Sequence, residues 1–434
     1  MSSNSTDFEA LEKVGKKNFS PWSWVPTLYL AEGLPYVAVT SIAGIMYKRL
    51  EISNFDITLY TGWLYLPWVI KPFWSPFVDL FKTKRQWIFV MQLLIGVCFA
   101  GIAFTIPASF FFQATLAFFW LLSFSSATHD IAADGFYMLA LDTNNQAKFV
   151  GIRNTFYRLA QILGQGILII IAGTLENTIG DVRLSWSVAF LILALLFLFL
   201  AFFHKIFLPK PDSDLPAVSA TAKSTLINFA YTFVSFFKKP DIGRALFFLL
   251  VFRFSESQTL PILKIFLIDG RENGGLGLTT SEVGFSYGTL GMIAVIIGGI
   301  IGGYAISKGG LKKWLWAMTL SLLLPTALFI YLAYSQTSSL LIINLSIFVE
   351  QFGYGFGVTA YVMFMIYFAD GQHKTSHYAI CTGFMALGMM IPGMLSGKIQ
   401  ELIGYANFFN WAVICGIIPA IAVFLLRLPD TKSI

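Results

Sequence analysis

Twelve apolar stretches of near-membrane length follow one another along this chain, and no water-soluble core can hide that many. An α-helix rises 1.5 Å per residue, so about 20 apolar residues cross the ~30 Å of bilayer hydrocarbon. The stretches run over 24–47, 57–81, 86–106, 110–140, 149–175, 185–207, 242–268, 281–306, 313–334, 339–369, 376–400 and 405–427. Backbone groups in hydrocarbon must bond internally, and segments of this length do so as helices. Composition agrees: 56% of the residues are apolar, 12% are charged and Phe alone occurs 44 times. The charged share is about half that of an ordinary soluble chain. The expected fold class is therefore an all-α polytopic membrane protein with 12 transmembrane helices.

Lys and Arg set the orientation, because basic loops stay on the cytoplasmic side. With the N-terminus inside, Lys13, Lys16, Lys17, Lys82, Lys84, Arg85, Lys148, Arg153, Lys205, Lys210, Lys223, Lys238, Lys239, Arg244, Lys308, Lys312, Lys313, Lys374, Arg427 and Lys432 all fall inside. The opposite side receives Lys48, Arg49, Arg183 and Arg271. Both termini are thus expected in the cytoplasm, and the net charge of +6 is a topology signal rather than a sign of nucleic-acid binding. The polar start of the chain lacks the apolar core of a cleavable signal, so the first helix must serve as its own insertion signal.

One long polar stretch, Pro209 to Pro240, divides the spans six and six. The expected organisation is a tail over 1–23, a six-helix bundle over 24–208, a linker over 209–241, a second bundle over 242–428 and a tail over 429–434. Residues 222–237 within the linker read either as an amphipathic surface helix or as plain connection. The cysteines Cys98, Cys381 and Cys415 all fall within spans and have neither metal nor disulfide-framework spacing.

Ionisable residues occur in only some spans. The first carries Glu32, the fourth Asp130 and Asp134, the seventh Glu256 and the tenth Glu350, whereas the third, sixth, ninth and twelfth have uncharged cores. A charge at mid-bilayer costs at least about 2.5 kcal/mol, so it turns toward a partner or a wet cavity. Charge recurring at every third helix describes a bundle with one central aqueous path. Asp130 and Asp134 lie four apart and so share a helix face. Two carboxylates in a low-dielectric cavity do not both ionise cheaply, so one can load and drop a proton; a static pair with Arg158 is the alternative. Glu32, Glu256 and Glu350 join them as proton-coupling candidates, and His129 stands beside Asp130. The remaining histidines lie at helix ends and carry no expected role.

Lys71, Arg158, Arg253 and Lys264 are the basic residues inside the bundle, and such a cavity suits an anionic substrate. Arg253 and Glu256, three apart, can pair locally; Lys264, nearer the outer end, can snorkel. Lys71, Arg158, Arg253, Tyr157 and Gln351 are the substrate-binding candidates. Pro35 and Gly33 are expected to break the first helix, and Gly353, Gly355 and Gly357 to thin the tenth for close packing. Asp79, Lys84 and Arg85, after the second span, form a gating cluster that contacts no substrate.

Six spans plus six with a cytoplasmic central loop is the arrangement of the major facilitator fold, two pseudo-symmetric bundles rocking about a midplane site. Within that superfamily the chain resembles the AmpG-type permeases, with a looser likeness to acetyl-coenzyme A transporters. The likeness rests on Gly33-Leu34-Pro35, on Lys71-Pro-Phe-Trp74-Ser75-Pro76-Phe-Val-Asp79, on Ser126-Ala-Thr-His-Asp130-Ile-Ala-Ala-Asp134 and on Tyr157-Arg158-Leu159. Arg253-Phe-Ser-Glu256 and Phe348-Val-Glu350-Gln-Phe-Gly-Tyr-Gly355 extend it through the second half. The resemblance implies proton-driven import of N-acetylglucosaminyl-anhydro-N-acetylmuramic acid, with or without its peptide, across the inner membrane. It also implies that Asp130 and Asp134 handle the proton. Arg253 and Glu256 stand where the family often has Lys and Asp.

The resulting expectation is a monomeric carrier in lipid whose partners are protons and an anionic or amphiphilic glycopeptide, with no cofactor beyond the proton gradient. Carriage of another bulky anion, of siderophore or acyl-nucleotide type, is the competing reading. An enzyme finds no support, because no nucleophile–base pair, metal spacing or nucleotide loop is present. The run Gly298 to Gly303 sits within a span and reads as helix packing.

Overall fold

The computed structural model describes residues 19–215, 231–371 and 374–428, all helix and connection without a strand. Residues 1–18 of the first tail, the tail over 429–434 and most of the 222–237 segment therefore lie outside the described residues, as do His373 and the side chain of Asp79. Residues 231–237 of that segment are helical.

Ten helical stretches among the described residues are long and apolar enough to cross a membrane. The last, Ser376–Leu425, folds back at Gly404, whose φ of 76° is a left-handed turn, and so supplies two crossings. A further crossing is broken in its middle. The twelve are α1 (Pro21–Arg49), α2 (Asn54–Trp63 and Leu66–Phe81), α3 (Lys84–Thr105), α4 (Phe111–Ala140), α5 (Asn144–Ile179) and α6 (Val182–Phe207). The second six are α7 (Ile242–Ile268), α8 (Thr280–Gly309), α9 (Leu311–Ser335), α10 (Leu340–Ala369), α11 (374–403) and α12 (405–425). The protein is a multi-pass membrane protein of all-α class.

Caps mark several helix starts. Thr83 and Gln86 form a capping box at α3, Thr279 and Glu282 another at α8, and Asp181 accepts from the Leu184 amide at α6. Large apolar side chains on the outside, such as Phe104, Phe199 and Phe424, are mostly exposed, which is stable only against lipid.

Close backbone approach explains the glycines of α10. A Cβ at Gly353 would stand 2.1 Å from the Ser321 carbonyl oxygen of α9, and one at Gly355 would stand 2.1 Å from the Val295 oxygen of α8. Gly298 makes the reciprocal approach from α8 to Phe352. The glycines of the Gly298 to Gly303 run that face α10 thus do serve packing.

The first helix corrects one expectation. It runs regularly through Gly33 and Pro35, and Gly33 packs against α5. The irregular turn comes afterwards, as a π segment at Ala38–Ile42; similar segments occupy Leu163–Leu168 in α5 and Gly284–Gly291 in α8. Wide turns of this kind interrupt the backbone ladder without ending the helix.

Candidate functional site

The two six-helix sets clasp each other at the end away from the chain termini. Lys48 of α1 reaches Asp269, just past α7, at 2.8 Å, and the same carboxylate accepts from the Tyr405 hydroxyl at 2.7 Å. Asn54 of α2 donates to Gln400 of α11 at 2.6 Å and to Tyr405 at 3.0 Å. Glu176 of α5 binds Arg49 at 3.0 Å and accepts from Thr280 of α8 at 2.7 Å. Gly166 of α5 and Gly288 of α8 bring the two backbones into contact, and Gly397 of α11 lies against Asn54 and Thr58 of α2. Burial pushes the Asp269 carboxyl up, but hydrogen bonds from Lys48, Tyr405 and Asn273 outweigh that and leave it below the ordinary carboxylate range.

Behind this clasp lies a cavity of about 280 Å³, lined from both sets of helices. All three π segments contribute to its wall, through Thr40, Gln165 and Tyr287. Its charged lining is cationic: Arg158, Arg253 and Lys264 border it, while none of Glu32, Asp130, Asp134, Glu256 and Glu350 does. The first of these cations, Arg158, is exposed and makes no hydrogen bond or ion pair among the described residues. Lys264 has no acid partner there either. Its Nζ donates to the Thr40 carbonyl at 2.9 Å, a bond across the two halves, and lies over the Tyr287 ring. Lys264 thus turns into the cavity rather than snorkelling outward. Arg253 is already committed, forking onto Glu256 at 2.6 and 2.7 Å and touching the Tyr354 hydroxyl at 3.1 Å.

The acids form two separate groups. In the first half, Asp130 accepts from Trp68 Nε1 at 3.1 Å and faces Lys71 Nζ at 3.5 Å. Asp134 meets Arg153 at 2.9 Å and the Tyr29 hydroxyl at 3.1 Å. Arg158 therefore pairs with neither aspartate; the α5 residue that does is Arg153. Glu32 joins this cluster, buried on α1. In the second half Glu350 is buried and accepts from its neighbour Gln351 at 2.6 Å, near the Arg253–Glu256 pair. Gln351 lines the cavity, whereas Lys71 and Tyr157 do not.

Lys84 and Arg85 hold parts of the first half together. Their backbone amides donate to Asp214 at 2.6 and 3.0 Å, and the Arg85 guanidinium reaches the Leu208 and Lys205 carbonyls, tying the start of α3 to the end of α6. Nothing in the sequence marks Asp214 for this role, because an acid in a polar linker looks unremarkable. A second unforeseen feature is a buried chain across four helices. His129 contacts Gln92 of α3 at 3.0 Å, Gln92 contacts His204 of α6 at 2.9 Å, and His204 contacts Thr27 of α1 at 3.0 Å. His204 is thus a fully buried network member, not an incidental helix end.

Two helical sets, clasped at one end around a cavity with a cationic lining, are the construction of a secondary transporter. The chain belongs to the Major Facilitator Superfamily, whose sequence profile matches residues 27–391. It is 24% identical over 424 residues to the transporter named AmpG 4 of Rickettsia conorii, covering 93% of this chain and 95% of that one. It is 23% identical over 410 residues to the anhydromuropeptide permease of Escherichia coli, covering 92% and 78%. The resemblance to AmpG-type proteins is thereby borne out. Among solved structures, a D-xylose-proton symporter superposes with a TM-score of 0.71 at 12% identity, covering 95% of this chain and 98% of that one, a likeness of fold. The protein is a transporter, not an enzyme.

Proposed function

We propose that this transporter imports anhydromuropeptides, N-acetylglucosaminyl-anhydro-N-acetylmuramic acid with or without its peptide, by proton symport. It does so across the inner membrane with both termini cytoplasmic. The observation that supports the anionic part of this reading is the pair of cations without acid partners among the described residues, Arg158 and Lys264, which line one cavity from the two halves. A muramic carboxylate gives each a partner, and the aromatic wall of Tyr36, Tyr65, Tyr287 and Tyr354 offers faces for sugar rings. The sugar–peptide identity of the cargo leans on the permease relative. Proton coupling leans on the acid cluster of Glu32, Asp130 and Asp134 beside the path.

Binding and release then follow from alternating access. With the clasp shut, the cavity is cut off from the outer side; an anion drawing Lys264 away from the Thr40 carbonyl removes one of the bonds that hold α1 to α7. Parting of the clasp and closure of the opposite end expose the same cavity to the other side. One proton carried per substrate sustains about tenfold accumulation per unit of pH difference.

The test is uptake of the labelled disaccharide into proteoliposomes, with and without an inward acid gradient. Accumulation above the outside concentration only with the gradient supports the reading. Uptake that ignores the gradient refutes proton symport, and absence of uptake moves the cargo to another bulky anion.

A further inference from the structure

We propose that Glu32 is the group that carries the coupling proton, with Asp130 and Asp134 held as charged partners that shape its surroundings. This rests on the proton-symport reading above and departs from the expectation that the paired aspartates do the titrating.

Glu32 is 8% exposed, and its Oε2 is buried without a hydrogen-bond partner. The groups facing it are Asp130 and Asp134 of α4, Lys71 of α2, Arg153 and Tyr157 of α5, and Tyr29 on its own helix. Three acids therefore share two cations. Both cations already sit against aspartates, Lys71 on Asp130 and Arg153 on Asp134. Each aspartate also receives a neutral donor, the Trp68 indole or the Tyr29 hydroxyl, and donors to carboxylate oxygens favour the charged form. Among the described residues Glu32 has neither in contact.

A buried carboxylate without a cation or a donor is strongly disfavoured, and taking up a proton removes that cost. A protonated Glu32 gains one O–H donor. An acceptor for it exists in the same cluster, because Asp130 Oδ1 is also buried without a partner. The cluster balances when Glu32 holds one proton and becomes singly negative when it does not. In each cycle the Glu32 O–H bond forms with a proton from the outer side and breaks with its loss to the inner side, and no other bond changes.

Infrared spectroscopy of the full chain in lipid vesicles tests the assignment without substrate. Protonated carboxyls show a carbonyl stretch that ¹³C-labelled glutamate shifts and labelled aspartate does not. The expected result is a pH-titrating glutamate band that is lost in Glu32→Gln, kept in Glu350→Gln, and moved to lower pH in Asp130→Asn and Asp134→Asn, each of which frees a cation for Glu32. A glutamate band in Glu32→Gln unchanged from that of the wild type overturns the proposal. In proteoliposomes, Glu32→Gln is expected to bring gradient-driven accumulation of the labelled disaccharide to unity while equal-concentration exchange continues. Accumulation at the wild-type ratio, or loss of exchange as well, overturns it. Should the wild type itself not respond to the gradient, proton symport fails, and the infrared arm still decides where the proton resides.

Discussion

Replacing Gly288 with Ala should push the transporter open at the clasped end. A Cβ built at this position stands 1.7 Å from the Gln165 carbonyl oxygen, 2.3 Å from its carbon and 2.6 Å from Gly166 Cα. All three are backbone atoms, so no side-chain rotation relieves the clash. Comfortable carbon contacts lie at about 3.5–4.0 Å, so α5 and α8 must separate by roughly 2 Å to accept the methyl group. Overpacking of this kind costs about 1–3 kcal/mol, which is roughly a 5- to 150-fold shift in a two-state equilibrium. That cost falls on the clasped conformation alone, since parting the halves removes the contact. Spin labels at Asn177 on α5 and Glu272 before α8, both exposed at the clasped end, report the equilibrium by pulsed electron resonance. Gly288→Ala should move population to longer distances. Gly151→Ala, where a Cβ meets nothing within 4 Å, should leave the distribution as it is. Gly62→Ala should shift it less than Gly288→Ala, because its principal neighbour is the flexible Met394 side chain. An unaltered distance distribution in Gly288→Ala would refute the claim that these backbones set the closed state.

Three further outcomes follow from the same geometry. Arg158→Gln or Lys264→Gln should each raise the half-saturating concentration of substrate roughly 10- to 100-fold, since a hydrogen bond to a charged group contributes about 1.5–3 kcal/mol; unchanged uptake kinetics would remove them from the site. Arg253→Met strands the Glu256 carboxylate, so thermal unfolding in detergent should show a loss of about 3–5 kcal/mol, largely restored in the Arg253→Met/Glu256→Gln double variant. The Asp269 carboxyl lies below its ordinary range, so its contribution is fully present above the unfolded value near about 3.9 and is lost only as pH falls through the folded one. The extra opening caused by Asp269→Asn should therefore be the same at about pH 5 and about pH 8; an effect confined to the higher pH would contradict the clasp assignment.

The spans and their acids were legible in the sequence because the bilayer penalises any polar residue that lacks a reason to be there. Pairing was less legible. Arg153 and Arg158 are both on α5 but point about 140° apart around it, so the packing of that helix decides which of them meets Asp134; the residue string does not carry that packing. The direction of Lys264 depended on a carbonyl at Thr40, a feature of backbone path rather than of side-chain type. Charge alone marked α3 and α6 as dry, and Gln92 and His204, uncharged when neutral, escaped that criterion although they span the first half together. The π segments left no residue signature. Proline marked α1 as irregular, yet the wide turn lies beyond it at Ala38–Ile42.

Vesicles holding a trapped pH dye measure the central claim most directly. Addition of the unlabelled disaccharide outside, with no imposed gradient, should acidify the lumen of vesicles carrying this protein, in proportion to the substrate taken up. Substrate entry with no change in lumenal pH would contradict the account.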